Sequence, residues 1–398
     1  MGQPFRTDQV VEAPYFADRD EETNKLLRVM RNRERIVLYG ERRQGKSSVI
    51  TRAARRLESE GGVVIMIDAW KVEDLNGINR AILKAVPFGW VKGTRLELLI
   101  RAFRGLVGLM PNEEGRPVLG LVGLSAHRDP HPDETLERIL EGLNDVAGES
   151  KTPVVVVIDE FQNLEKIRTN GGALLRSIVQ ETGHLSYVFA GSMVGLVMNL
   201  IGPKGPFHGI ERIEIGEIRA DYLATWIQER SKSCGVEWTS DASPFLVAKA
   251  GPVTEYILRL AKAVHWIGTQ SKGAVMPDTI DQAFAEIVAD MDGTFDLIWS
   301  KMSNTRRKVL RGIADGEVRL TTDHFLSRYH LGSSSAASRG ERELRDDGIL
   351  APGKPPRISD PFFAEWISKH GETPLPLGMG RDSRPACAGN GTPSGLVR

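Results

Sequence analysis

The chain has 398 residues, 52 Lys or Arg against 52 Asp or Glu, and two cysteines. Such a length carries two or three domains with a substantial core, and zero net charge removes any global pull toward nucleic acid or anionic lipid, leaving only local patches for such partners. Cys234 and Cys387 lie far apart without metal spacing, which excludes a disulfide framework and favours a reducing, cytoplasmic setting.

Met1–Pro14 is polar and lacks the apolar core of a signal peptide. A helix over Glu21–Arg33 leads into an apolar strand at Arg35–Tyr39. The strand runs into Gly40-Glu41-Arg42-Arg43-Gln44-Gly45-Lys46-Ser47-Ser48, which opens a helix over Ser47–Leu57. The spacing Gly-x-x-x-x-Gly-Lys-Ser suits a turn whose backbone N–H groups face a phosphate. Lys46 then reaches the outer phosphates and the Ser47 hydroxyl holds Mg²⁺. Arg42 and Arg43 either ion-pair on the surface or approach the phosphates. The expectation is a nucleoside triphosphate site.

Val63–Asp68 reads as a second strand, followed by a helix from Asn76 to Val86. Leu98–Met110 is too short for a membrane span and carries Arg101 and Arg104, so it reads as a buried helix. Leu106–Met110 and Val118–Leu124 interleave glycine with aliphatics and give no assignment, and Ser125–Pro132 is polar and turn-rich. Asp133–Ala147 carries the helical stripe Leu136, Ile139, Leu140 and Leu143. Val154–Ile158 is then an unbroken β-branched run, as in a central parallel strand, and it ends in Asp159-Glu160. Asp159 is placed beside Mg²⁺ and its waters. Glu160, one residue on, can orient or deprotonate the water that attacks the terminal phosphate. After a helix over Gly172–Glu181, the strand from Leu185 ends at Ser192. That hydroxyl either bonds the terminal phosphate or the attacking water, or caps a helix beginning near Met193. The alternation gives an α/β domain with a parallel sheet over residues 14–216, after an extension at 1–13.

Residues 217–302 are helical throughout, with helices over Pro244–Lys249, Glu255–Trp266 and Ile280–Ala289 and a break at Gly251-Pro252. Residues 303–370 read as helix, helix, helix and two short strands, the winged helix-turn-helix pattern. Its helices cover Thr305–Ala314, Asp323–His330 and Ser333–Asp346, and a strand follows at Arg357–Ser359. The third helix presents Ser335, Ser338, Arg339 and Arg342, with Ala337 and Leu344 inward. Residues 371–398, rich in Gly, Pro and Ser, are expected to be disordered. His127 and His131 have His-x-x-x-His spacing but lack the glutamate of a His-Glu-x-x-His motif, and no Gly-x-Ser-x-Gly elbow occurs, so metal-hydrolase and serine-hydrolase chemistry are unsupported.

Over residues 14–368 the chain resembles the archaeal-type ATPase family, in the STAND-like branch of AAA+ P-loop NTPases. Four stretches carry the resemblance: Phe16-Ala-Asp-Arg19-Asp-Glu-Glu22, the arginine-containing phosphate loop, Asp159-Glu160-Phe161-Gln162, and Asp360-Pro-Phe-Phe-Ala-Glu-Trp366. It implies that Arg19 packs near the adenine, that Lys46 and Ser47 grip phosphate and metal, and that Ser192 senses the γ-phosphate. It also makes the helical segment a lid over the base, with Pro252 at its break. The family's arginine after a Pro-aromatic-x-Gly turn is replaced: Pro206-Phe-His-Gly209 is followed by Ile210, and the nearest arginine is Arg212. Arg212 is then either a finger for a neighbouring subunit in a homo-oligomer or a surface residue of the strand Ile213–Ile215.

The expected function is a Mg²⁺-dependent ATPase, slow without a partner, whose nucleotide state moves the lid and winged helix. The alternatives are an ATP-regulated protein that binds duplex DNA, or a protein partner, through Arg339 and Arg342, and a scaffold that binds nucleotide without cleaving it. For residues 304–370, twelve Lys or Arg against nine Asp or Glu give only a small basic excess for DNA.

Overall fold

The computed structural model describes residues 3–7, 15–87, 90, 97, 107–112, 115–121, 131–150, 152–192, 194–271 and 273–370. Expectations for residues 8–14, 98–106, 122–130, Met193 and the tail from Gly371 lie outside them. In chain order the first half contains α1 (Asp20–Arg31), β1 (Arg35–Tyr39), α2 (Lys46–Ser59), β2 (Val63–Asp68), α3 (Leu75–Ala85), β3 (Val107–Pro111) and β4 (Pro117–Leu121). It continues with α4 (Pro132–Ser150), β5 (Val154–Asp159), α5 (Leu164–Ile167), α6 (Gly171–Glu181), β6 (Leu185–Gly191), α7 (Val194–Ile201) and β7 (Glu211–Glu214).

The main sheet is parallel, in the order β2-β5-β6-β1-β7. Strands covered on both faces read as continuous apolar runs, and Val154 to Ile158 of β5 are at most 1% exposed. Val155 and Val157 pack toward Leu26, Met30, Ile50 and Ala53 of α1 and α2. Val154, Val156 and Ile158 pack toward Ile78, Leu140 and Ile178 of α3, α4 and α6. This is the two-residue period of a strand, and each side chain buried in this way stabilises by about 1.5–3 kcal/mol. The chain leaves β1 for β2 on the far side of β6 and β5, so the carboxyl ends of β1, β5 and β6 open on a shared crevice, where ligands of open α/β sheets collect.

β3 and β4 form a separate antiparallel hairpin, from Val107 opposite Leu121 to Pro111 opposite Pro117. The buried helix expected over Leu98–Met110 therefore fails over its described end. Gly108 and Pro111 weaken a helix there, the β4 backbone offers a ladder, and Leu109 and Met110 are exposed.

The second half contains α8 (Ala220–Ser233), α9 (Ala242–Ala250), α10 (Thr254–Gln270), α11 (Pro277–Asp290) and α12 (Asp292–Ser300). These are followed by α13 (Asn304–Ala314), α14 (Asp323–Arg328), α15 (Ser334–Asp346) and α16 (Pro361–His370). Side-chain oxygens start three of these helices: Ser303 accepts from Arg306 N–H, Thr322 from Phe325 N–H and Ser333 from Ala336 N–H. The expected strand at Arg357–Ser359 reduces to an antiparallel bridge between Leu350 and Ile358. Pro355 and Pro356 lack N–H groups and stop the ladder from growing.

One apolar core runs from α8 through α16. Phe362 of α16 meets the Tyr256 ring at 6.0 Å and the Phe284 ring at 4.8 Å. Trp366 Nε1 donates to Asp292 Oδ1 at 2.7 Å. Phe5, from the polar N-terminal extension, is fully buried in this core, 5.8 Å from Trp226 and 6.2 Å from His265. Among the described residues no helix is long and apolar enough to cross a membrane.

Candidate functional site

The turn between β1 and α2 is shaped by its two glycines. Gly40 lies against the chain leaving β7, where a Cβ would come 2.2 Å from the Ile215 carbonyl oxygen. Gly45 has φ of 91°, a left-handed conformation that costs glycine nothing, and α2 starts directly after it. The N-terminal amides of α2 therefore face the crevice, as an anion requires. Lys46 folds back over the turn: its Nζ donates to Gly40 O at 3.0 Å and Glu41 O at 2.7 Å. It is 6% exposed, and burial lowers its pKa to about 8 against the attraction of Glu160 and Asp159.

The acidic end of β5 meets this turn. Ser47 Oγ donates to Asp159 Oδ2 at 3.3 Å, and Glu160 N–H donates to Asp159 Oδ1 at 2.9 Å. Burial, then the neighbouring Glu160 charge, pushes the Asp159 carboxyl above the usual range. Parallel register sets Asp68, the last residue of β2, opposite Asp159. Glu160 has φ of 52°, and its Oε2 accepts from Ser192 Oγ at 2.7 Å and Gln162 Nε2 at 2.5 Å. Arg42 Nε donates to Ser192 Oγ at 3.3 Å. The result is a hydrogen-bonded chain from the phosphate loop, through the end of β6, to the carboxylate after β5.

A cavity of about 650 Å³ gathers Arg19, Arg42, Arg43, Gln44, Gly45, Lys46, Ser47, Ser48, Asp159, Glu160 and Ser192 on its wall. Tyr15, Phe16, Ile218 and Leu258 add apolar surface to the wall, with Arg6 over the Tyr15 ring at 4.3 Å and Arg52 over the Phe16 ring at 4.4 Å. Arg19 is ion-paired to Glu22 at 2.8 Å and bonded to the Gly216 carbonyl, while its buried Nε has no hydrogen-bond partner. Gly40 and Glu41, at the start of the loop, do not line this cavity. Glu41 faces Arg357 of the winged helix at 3.6 Å, and burial raises its pKa.

Two further expected residues do not join this wall. Pro252 contributes its carbonyl, which accepts from Gln44 Nε2 at 3.2 Å, while Thr254, Glu255 and Leu258 of α10 reach the cavity. α10 starts at Thr254, two residues after Pro252, and presents its own first turn. Arg212 sits exposed on the edge strand β7 and donates to Ile201 O at 2.5 Å, away from the cavity. Among the wall residues that the sequence reading did not assign to the site are Asp68 and the 57% exposed Trp70. Asp68 had a readable signal, since it ends an apolar strand as Asp159 does.

The loop also reaches into the helical half. Arg43 bonds the Tyr256 hydroxyl and approaches Glu255 at 3.6 Å and Asp360 at 4.0 Å. Gln44 Oε1 accepts from Thr254 Oγ1 at 3.0 Å. A second cleft of about 860 Å³ opens behind these contacts, between the loop, α12 and the winged helix.

Residues 16–219 match the model of a family described as an ATPase domain predominantly from Archaea, and residues 293–369 match that of a winged helix domain. Among solved structures the chain is similar to the Walker-type ATPase PABY2304 of Pyrococcus abyssi, at 17% identity and a TM-score of 0.59, covering 89% of this chain and 97% of that one. It is also similar to the Aeropyrum pernix ORC2 protein, described as ADPNP–ADP complexes, at 15% identity and a TM-score of 0.57, covering 92% and 97%. No curated protein matches the sequence. The fold is that of an AAA+-like P-loop ATPase domain followed by a winged helix.

Proposed function

Because the chain belongs to the family of ATPase domains predominantly from Archaea, we propose that it binds ATP with Mg²⁺ and hydrolyses it slowly, as a STAND-like switch that moves the lid and winged helix. The observation that carries this reading is that one loop faces both partners. Lys46 and Ser47 line the phosphate cavity, while Arg43 and Gln44 hold Tyr256, Asp360 and Thr254.

The oxygen donors Ser47 Oγ and Asp159, with Asp68 opposite in register, fit the preference of Mg²⁺ for hard ligands. When bound, the ion neutralises charge on the outer phosphates. Lys46 exchanges the Gly40 and Glu41 carbonyls for phosphate oxygens. Glu160 orients water and takes its proton as the water oxygen bonds to the γ-phosphorus and the bond to the β-phosphate oxygen breaks, giving ADP and phosphate. Ser192, bonded to Glu160, senses the group being lost. The apolar surface at Phe16 and Ile218 receives the base, with Arg19 near it. Arg212 lies outside its own cavity; in a homo-oligomer it would serve a neighbour, and hydrolysis per protomer would then rise with protein concentration.

Glu160→Gln should retain ATP binding and lose hydrolysis by about 100-fold or more. In the same protein, the distance between labels on α2 and α15 should differ between ATP and ADP. Full turnover by Glu160→Gln, or an unchanged label distance, refutes the assignment.

A second reading, duplex DNA binding, draws on α15, which exposes Ser335, Ser338, Arg339 and Arg342 and buries Ala337 and Leu344. A salt-dependent gel shift that is lost in the Arg339→Ala/Arg342→Ala double variant would support it; equal mobility for both proteins would end it.

A further inference from the structure

We propose that Arg42 is a built-in arginine for the terminal phosphate: it exchanges Ser192 and Trp70 for the γ-phosphate of the chain's own nucleotide. This proposal rests on the ATPase reading above and assigns to the loop itself a charge that would otherwise have to come from a neighbouring subunit.

Position is the first argument. Arg42 Nε lies 3.3 Å from Ser192 Oγ, which in turn donates to Glu160 at 2.7 Å, so the guanidinium stands one hydroxyl away from the proposed water-orienting carboxylate. It lines both the phosphate cavity and the cleft behind it. Its positive charge also reaches Lys46, where it adds to burial in disfavouring the ammonium.

Availability is the second. The other arginines lining the cavity are placed elsewhere: Arg19 with Glu22 and Gly216 O, Arg43 with Tyr256, Glu255 and Asp360, and Arg6 over the Tyr15 ring at 4.3 Å. Arg42 forms no ion pair among the described residues. Its remaining neighbours are the Trp70 ring, at 5.3 Å from the guanidinium carbon to the centroid, and Gly348 of the winged helix. A charged, planar fork with only a long hydroxyl bond and a ring contact gains more from a phosphate, which accepts charge-assisted and bidentate bonds.

Trp70 is the third. It follows Asp68 in a short 3-10 turn, is 57% exposed on the cavity wall, and has Lys166 on its ring at 5.7 Å as well. A large exposed aromatic between two cations provides a weak resting surface for one of them. The loop geometry fits this division: Arg43 has φ of 68°, and the two consecutive arginines go to different places, Arg43 to the lid and Arg42 to the phosphate side.

The test uses the full chain, wild type against Arg42→Ala and Arg42→Lys, with Mg·ATP and Mg·ADP. Single-turnover hydrolysis should fall by about 100-fold in both variants, the loss expected when a transition-state donor is removed. ATP affinity should fall at least about tenfold while ADP affinity stays within about twofold, because only the γ-phosphate contact is lost. Trp70 emission, isolated by subtracting a Trp70→Phe protein, should change on adding ATP, less on adding ADP, and not with ATP in Arg42→Ala. Hydrolysis by Arg42→Ala within about threefold of wild type, or equal loss of ATP and ADP affinity, overturns the proposal and leaves the ATPase reading standing. A wild-type protein that binds neither nucleotide overturns both. Should Arg42→Ala fail to fold, Arg42→Lys keeps the charge, removes the planar fork and decides the same question.

Discussion

Lys46→Met separates what the buried lysine does for nucleotide from what it costs the fold. Burial takes its pKa from the ordinary 10.5 to about 8, even with Glu160 and Asp159 attracting the charge. At about 1.4 kcal/mol per pH unit, the charged form is disfavoured in the folded protein by about 3 kcal/mol. Below pH 8 the lysine is charged in both the folded and unfolded chain, and the whole penalty is present. Between about pH 8 and 10.5 the folded protein has released the proton and the unfolded chain still holds it, so stability rises with pH until the penalty is gone. Methionine has similar length and no charge. Its substitution also deprives Asp159 and Glu160 of a cation, so the expected gain at pH 7 is about 1–3 kcal/mol. Urea unfolding of both proteins without nucleotide, at about pH 7 and pH 9.5, reads the difference. The gap should be clear at the lower pH and narrow at the higher one, and calorimetry should find no ATP binding by the variant. Equal or lower stability of Lys46→Met at pH 7, or a gap unchanged at pH 9.5, refutes the view of Lys46 as a strained buried charge.

Two further outcomes test the frame of the site. Gly40→Ala puts a Cβ 2.2 Å from the Ile215 carbonyl oxygen; the loop must shift, and ATP affinity measured by calorimetry should fall at least about tenfold while the circular dichroism spectrum is kept. Phe5→Ala removes a fully buried ring from the helical core and should lower stability by about 3–5 kcal/mol in urea unfolding followed by tryptophan emission. A loss below about 1 kcal/mol would mean that the N-terminal segment does not hold this core.

The phosphate loop and the acidic strand end were legible because their residue types are dictated locally. Gly40 and Gly45 meet backbone demands, and Val154–Ile158 has no polar residue with which to face solvent. Residues whose role depends on partners distant in sequence were not. Asp68 carries a local signal as the acidic end of an apolar strand, but its place at the site depends on β2 pairing with β5 in a register that sets it opposite Asp159, and no local pattern states that register. Phe5 looks like one apolar residue in a polar leader, and only α8 and α10 give it a pocket. The glycine-interleaved segment before Pro111 has neither a 3.6 nor a 2.0 period, so its pairing with β4 could not be read. Pro252 was placed on the cavity by resemblance, whereas the start of α10 gives that wall to Thr254 and Leu258.

The distribution of contacts determines which part of the molecule can move. Helices α8–α12 and the winged helix share one apolar core, in which Phe362 and Phe363 of α16 pack against Tyr256, Phe284 and Phe295. Separating them would expose several aromatic side chains, each costing about 1.5–3 kcal/mol. The phosphate loop, by contrast, meets this body through polar groups, including Arg43 with Glu255 at 3.6 Å and Arg357 with Glu41 at 3.6 Å. Both arginines are 40% exposed or more, and such pairs contribute about 0–1 kcal/mol each. Breaking the polar seam is therefore much cheaper than splitting the core. A nucleotide that binds two arrangements with a few kcal/mol of difference can shift their populations. On the proposed switch, the motion expected from loss of the γ-phosphate is accordingly a rotation of α8–α12 and the winged helix together about the loop, with α16 staying packed on α11 and α12.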